Sequence, residues 1–139
     1  MNIVVDTSVW SLVLRRPRVN ELDPHVATFR SHVEHGTGIH LVGNILQELL
    51  DGVKGSLGFE RLVKAMEPFP ILSAKRSAYI LASKLRNDCR AKGVQASPGD
   101  FIIAATCIEN GYPLLTSDGD FSGIAKHSEL TLLETGFRR

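Results

Sequence analysis

Ile3-Val4-Val5-Asp6-Thr7-Ser8-Val9-Trp10 decides the fold. Three β-branched residues in a row read as a short buried strand, and the chain passes from them directly into an acid, two hydroxyl residues and an amphipathic stretch. Such a strand belongs in the middle of an open α/β sheet, and sheets of that kind bind their ligands just outside the carboxyl ends of the strands. A carboxylate at that point is costly unless a cation or hydrogen-bond donors compensate it. Asp6 is therefore the first candidate site residue.

Working outward, apolar runs of strand length recur at 2–5, 39–42, 69–72, 113–115 and 130–133, with helical periodicity between them. That alternation predicts a parallel sheet flanked by helices. The first helix is expected from Thr7 to about Leu14, ending before Pro17, whose ring does not suit a helix interior. Asp23-Pro24 is an N-cap followed by proline, and opens a helix with Val26, Phe29 and Val33 on one face. Gly43 turns the chain into a helix whose Ile45, Leu46, Leu49 and Leu50 face the core. Amphipathic helices follow at 57–67 and 74–92, the second with Tyr79, Ala82, Leu85 and Cys89 at core spacing. Ser97-Pro98 repeats the cap-and-proline signal and puts Asp100 in the first turn of another helix.

The chain has 139 residues, enough for one well-cored domain. Its hydrophobic content of 43% and charged content of 22% are those of a soluble globular protein. No apolar run approaches the roughly 20 residues that span a bilayer, and Met1 is not followed by the pattern of a secretory leader, so the cytoplasm is the expected location. Cys89 and Cys107 lie far from any metal-ligand spacing and read as reduced, packed thiols. The net charge of +1 neither requires nor excludes a nucleic-acid partner. Among the basic groups, Arg15, Arg16 and Arg18 lie just beyond the first helix, where they are candidates for contacts with an RNA backbone.

Four acids share the setting of a strand end or a helix start. Asp6 and Asp118 follow strands directly, Glu48 sits about one turn into its helix, and Asp100 lies in a first turn. In a right-handed parallel sheet these positions collect along one edge. Each acid alone reads as a solvated or dipole-facing side chain, and Asp120 as a turn residue or N-cap. Together they are a different proposition, because two bare carboxylates about 4 Å apart repel by roughly 4 kcal/mol at an effective dielectric of 20. An all-oxygen cluster without a converging histidine favours Mg²⁺ or Mn²⁺. Carboxylate-held ions of that kind serve phosphodiester hydrolysis. Thr7, Ser8 and Thr116 stand beside the acids and are suited to orienting them. His32 and His35, spaced i, i+3, lack a third ligand and read as solvated.

The segments Val4-Val5-Asp6-Thr7-Ser8, Leu46-Gln47-Glu48-Leu49, Gly99-Asp100-Phe101-Ile102-Ile103-Ala104-Ala105 and Leu115-Thr116-Ser117-Asp118-Gly119-Asp120-Phe121 resemble, in order and spacing, those of PIN-domain ribonucleases, specifically toxins of the VapC type from bacterial or archaeal toxin–antitoxin pairs. The resemblance covers essentially the whole chain. It implies a single PIN domain over 1–139, an α/β fold in three layers (α/β/α) with a mostly parallel five-stranded sheet. It also implies that Asp6, Glu48, Asp100 and Asp118 are the catalytic acids binding Mg²⁺ or Mn²⁺, with Asp120 a further acid of the metal site. Proteins of this family cut single-stranded or loop regions of RNA, are restrained by a cognate VapB-type antitoxin, and commonly form homodimers. Gly43 departs from the pattern, which often has Ser or Thr ahead of the acidic helix. Two other classes compete: a noncatalytic PIN-like RNA-binding module, and a receiver-like phosphoacceptor domain. The second needs paired acids after the first strand and a lysine after the last, whereas this chain has Asp6-Thr7 and ends its last apolar run in Glu134-Thr135. An aspartate-nucleophile phosphatase would need an acid where Ser8 stands.

Overall fold

A computed structural model describes residues 1–14 and 23–135. Arg15, Arg16 and Arg18, expected to meet RNA, lie outside the described residues. Strands β1 (Asn2–Val5), β2 (Gly38–Val42), β3 (Ile71–Leu72) and β4 (Leu114–Leu115) form one sheet in the order β3-β2-β1-β4, and every pair is parallel. The helices are α1 (Thr7–Leu14), α2 (Pro24–Glu34), α3 (Gly43–Asp51), α4 (Ser56–Met66), α5 (Arg76–Ala91), α6 (Pro98–Asn110) and α7 (Asp120–Lys126).

The register pairs Ile3 with Ile39 and Val4 with both His40 and Leu114. β1 therefore leaves one neighbour on each side, and the crevice between the carboxyl ends of β1 and β4 is the point at which the chain order reverses. Ligands of open α/β sheets bind at such points. Ile3, Val4 and Val5 are wholly buried, as both faces of a parallel sheet require.

The expected fifth strand is reduced to a single bridge. Leu114 N–H donates to Thr131 O and Leu133 N–H to Leu114 O, both at 2.9 Å, and only Leu114 and Leu132 pair. The run at 130–133 thus lies along the sheet edge without building a ladder, so the sheet has four strands.

The helices begin where the sequence signals placed them. Asp23 caps α2 by accepting from His25 N–H. Ser97 and Asp100 form a reciprocal capping box at α6, with Pro98 in the first turn. At its other end, α6 stops on Gly111, whose φ of 70° suits only a residue without a Cβ. Two helix faces differ from expectation. Val33 of α2 and Tyr79 of α5 are exposed, and Ala78 takes the inner seat, so the buried stripe of α5 is Ala78, Ala82, Leu85 and Cys89. The small side chains Ala78 and Ala82 fill that stripe while the bulky Tyr79 stays outside.

Trp10 packs inside α1 against Phe29 at 5.2 Å and Phe69 at 4.9 Å between ring centroids, both edge to face. Such pairs contribute about 0.5–1.5 kcal/mol each beyond burial. They fix α1, and with it the direction in which Thr7 and Ser8 leave β1. Among the described residues, no helix is long and apolar enough to cross a membrane.

Candidate active site

Asp6 is the one buried carboxylate among the described residues, 4% exposed at the end of β1. Its Oδ2 accepts from Ser8 Oγ at 2.8 Å and from Thr116 Oγ1 at 2.9 Å, with Ser8 N–H at 3.4 Å. Those donors make the buried position tolerable. Ser8 and Thr116 also hold the loop after β4. Ser117 N–H donates to Ser8 Oγ at 2.9 Å, and Asp118 N–H donates to Thr116 Oγ1 at 3.0 Å. Asp118 in turn accepts from Asp120 N–H through Oδ1 at 2.9 Å, an Asx turn that starts α7. Asp120, read from the sequence as a turn residue or N-cap, is the first residue of that helix, and Gly119 holds the N-cap position.

Glu48 comes to the site on α3. Thr7 Oγ1 donates to its Oε1 at 2.7 Å, joining the two residues across 41 positions. A Cβ on Gly99 would lie 3.6 Å from Glu48 Oε2 and 3.1 Å from Asn44 Nδ2. The glycine before Asp100 thus permits the close approach of α3 to the start of α6. Asn44 Nδ2 donates to Gly99 O at 3.1 Å and ties the two helices together; its Oδ1 is buried without a protein partner.

Asp100 Oδ2 accepts from Ser97 N–H at 3.3 Å, and Asp100 N–H donates to Ser97 Oγ at 3.1 Å. Burial pushes its carboxyl from the ordinary 3.8 up to about 6. The bonds from Ser97 pull the other way, and the negative charges of Asp118 and Asp6 add to the rise.

One carboxylate oxygen each from Asp100, Asp118 and Asp120 lie within 4.8 Å of one another. Asp6 and Glu48 flank this trio rather than joining it. The donor set suits a hard divalent ion. Two oxygens on opposite sides of one Mg²⁺ are about 4.2 Å apart, so the trio is near ligating distance. The raised proton affinity of Asp100 comes first from its burial and only then from the neighbouring charges of Asp118 and Asp6.

Thr7, Ser8 and Thr116, expected to orient the acids, each hydrogen-bond to one of them. Ser97 and Asn44 were not assigned to the site from sequence. Asn44 precedes Glu48 by four residues and so shares its helix face; Ser97 is three residues before Asp100, the spacing of a capping box. His32 and His35 meet Thr37 Oγ1 and Ser31 O instead of a metal site.

Two clefts border the acids. One of about 630 Å³ includes Thr116 and Asp118 in its lining, together with His25, Ser117, Ser122 and Leu132. The other, about 570 Å³, runs between α1, α3 and α4 past Ser11, Leu14, Glu48, Arg61 and Leu62.

The sequence pattern of the PIN domain matches residues 3–127. The chain belongs to the PIN-domain family. Its PIN fold is similar to that of VapBC2 from Rickettsia felis, solved with a DNA fragment from its promoter, with a TM-score of 0.75 and 16% identity over 96% of this chain and 98% of that one. FitAcB from Neisseria gonorrhoeae superposes with a TM-score of 0.73 and 19% identity, covering 97% of this chain and 98% of that one. VapC20 from Mycobacterium tuberculosis, described as a sarcin-ricin loop cleaving toxin, gives a TM-score of 0.63 and 18% identity over 93% and 98%. At such identities the likeness is one of fold. Curated proteins return no match. In this PIN domain the acids come from the carboxyl ends of β1 and β4, from within α3, and from the first turns of α6 and α7, at the edge where the sheet reverses its chain order.

Proposed function

We propose that this PIN domain is a metal-dependent endoribonuclease that cuts single-stranded or loop RNA, acting as a VapC-type toxin to inhibit translation. The observation that carries the reading is the convergence of oxygens from Asp100, Asp118 and Asp120 within 4.8 Å, with Asp6 and Glu48 alongside. When bound, Mg²⁺ or Mn²⁺ supplies Lewis-acid polarisation of a phosphodiester and acidification of water. The residues of the chain do the rest. Asp100, Asp118 and Asp120 would hold the ion, and Asp6 and Glu48 complete the negative surface that faces it. Thr116 and Ser8 fix the Asp6 carboxylate, Thr7 fixes Glu48, and Ser97 fixes Asp100. Preorganisation of this kind spares the site from reordering when substrate arrives.

Restraint by a VapB-type antitoxin belongs to the same reading, as do a homodimer, a cytoplasmic location and one domain over 1–139. The groove holding Glu48 beside Leu14 and Leu62 supports an inhibitory segment reaching the site. The exposed Ile71, Tyr79 and Ile80 offer apolar surface for self-association. A direct test is hydrolysis of single-stranded RNA by the purified chain in Mg²⁺ or Mn²⁺. Cleavage should stop with EDTA and in Asp100→Asn. Persistence of cutting in chelator refutes the reading.

A further inference from the structure

The cleft of about 630 Å³ that Asp118 shares extends beyond the acids, and its lining mixes apolar with hydrogen-bonding and acidic side chains, Glu134 among them. Leu132 and Leu133, packed against the core, supply apolar surface. His25, Ser117 and Ser122 supply hydrogen-bonding groups on the same cleft. A splayed nucleobase has the matching character, with an apolar face and a polar edge, and proteins that read single-stranded RNA take such bases into pockets of this kind. The volume lies within the range of small-ligand sites. Because Thr116 and Asp118 line the cleft and also belong to the acidic site, a base seated here would be adjacent to the phosphate presented to the acids.

His25 is the residue whose placement helix stability does not explain. It is the second residue of α2, where the helix dipole disfavours a cation. The cap needs only its backbone N–H, which donates to Asp23 Oδ1 at 2.8 Å. The ring makes an additional contact, Nδ1 to the same Oδ1 at 3.2 Å. A carboxylate only accepts, so Nδ1 carries the proton in that contact and Nε2 is left for a ligand. The two side chains are 25% and 30% exposed, so the ring is steadied and still reachable.

We infer that this cleft takes the nucleobase next to the scissile phosphate and that His25, oriented by Asp23, is its specificity-determining contact. The inference rests on the RNA hydrolase reading. Its test uses the full chain, a sequence-randomised single-stranded RNA pool and Mn²⁺, with the cut ends sequenced. In His25→Ala the base preference beside the cut should flatten, and KM for the parent's preferred oligonucleotide should rise about tenfold, the loss falling on KM more than on kcat. Ser122→Phe, which fills the cleft from an exposed position of α7, should act in the same direction whatever His25→Ala does to folding. His25→Gln, which keeps an acceptor, should restore part of the preference. Unchanged cut sites and KM in both His25→Ala and Ser122→Phe overturn the cleft assignment and leave the hydrolase reading standing. A parent chain that cuts nothing refutes the hydrolase reading instead. Anisotropy of the labelled pool then decides the cleft on its own: about tenfold weaker binding by His25→Ala supports it, and equal affinity overturns it.

Discussion

Replacing Asp100 by Asn should stabilise the metal-free protein at neutral pH while removing its activity. The Asp100 carboxyl is raised from 3.8 to about 6, chiefly by burial and further by Asp118 and Asp6. An acid raised in the folded state favours folding while protonated. Its contribution is complete below about 4, is lost as pH climbs through about 6, and stays lost above that. At about 1.36 kcal/mol per tenfold change in proton affinity, the full rise corresponds to ~3 kcal/mol. The group is only half-buried, so solvent screening reduces this to about 1 kcal/mol. Asn removes the charge and keeps an oxygen to accept from Ser97 N–H. In a domain of this size about 1 kcal/mol moves the melting midpoint by roughly 4 °C. Differential scanning calorimetry in EDTA should therefore show Asp100→Asn melting about 4 °C above the parent at pH 7.5 and level with it at pH 3.5. Mn²⁺ at a hundred times its Kd should raise the parent by about 2.7 kcal/mol and the variant by less, inverting their order. An apo variant that melts below the parent at pH 7.5, or an offset that is the same at both pH values, refutes the account of a half-buried charge at Asp100 that destabilises the fold.

Other perturbations separate the parts of the site. Thr116→Val removes a donor from Asp6 and an acceptor from Asp118 N–H, so kcat/KM for RNA should fall roughly 10- to 100-fold in a protein that still folds; full activity would dissociate that hydroxyl from the site. Ser97→Ala breaks the capping box of α6 and should cost about 1 kcal/mol in urea titrations, whereas an unchanged midpoint would show the box to be dispensable. Asp118→Ala should harm cleavage more than Asp120→Ala, because Asp118 Oδ1 also anchors the turn into α7; the reverse ranking in a turnover assay would transfer the main role to Asp120. Cys89 and Cys107 are buried, and burial pushes the Cys107 thiol up to about 12. Neither should react with an aromatic disulfide reagent until the protein unfolds, and rapid labelling of the native chain would contradict that burial.

Much of this arrangement is legible in the sequence because local chemistry fixes it. Asp23-Pro24 and Ser97-Pro98 specify helix starts through their own side chains, and the apolar run before Asp6 admits no other placement than a buried strand. The fifth strand is a different matter. Leu130, Leu132 and Leu133 turn inward whether the segment forms a ladder or only runs beside one, so hydrophobic spacing cannot separate the two. Tyr79 and Ala78 show the same limit at residue scale: adjacent positions on a helix differ by one step of rotation, and packing against neighbours chose the small side chain. The convergence of acids was readable as an edge, from topology. Which three come closest was not, because that depends on the pitch of the Asp118 turn into α7 and on how near Gly99 lets α3 approach α6.

The carboxylate of Asp6 is held by a hydroxyl 110 positions further along the chain. β1 is made before the other three strands of the sheet, yet one of its flanks stays open until β4 arrives. Closing so long a loop is slow compared with forming the local helices, and the N-terminal part of a chain ordinarily begins to fold while the rest is still being made. Here that head start gains little: Asp6 and Glu48 can be in place, but Asp100, Asp118 and Asp120 have yet to be synthesised. A nascent chain therefore carries no assembled site past the ribosomal RNA that surrounds it. The acids can come together only once the segment through Asp120 is free to fold back against β1.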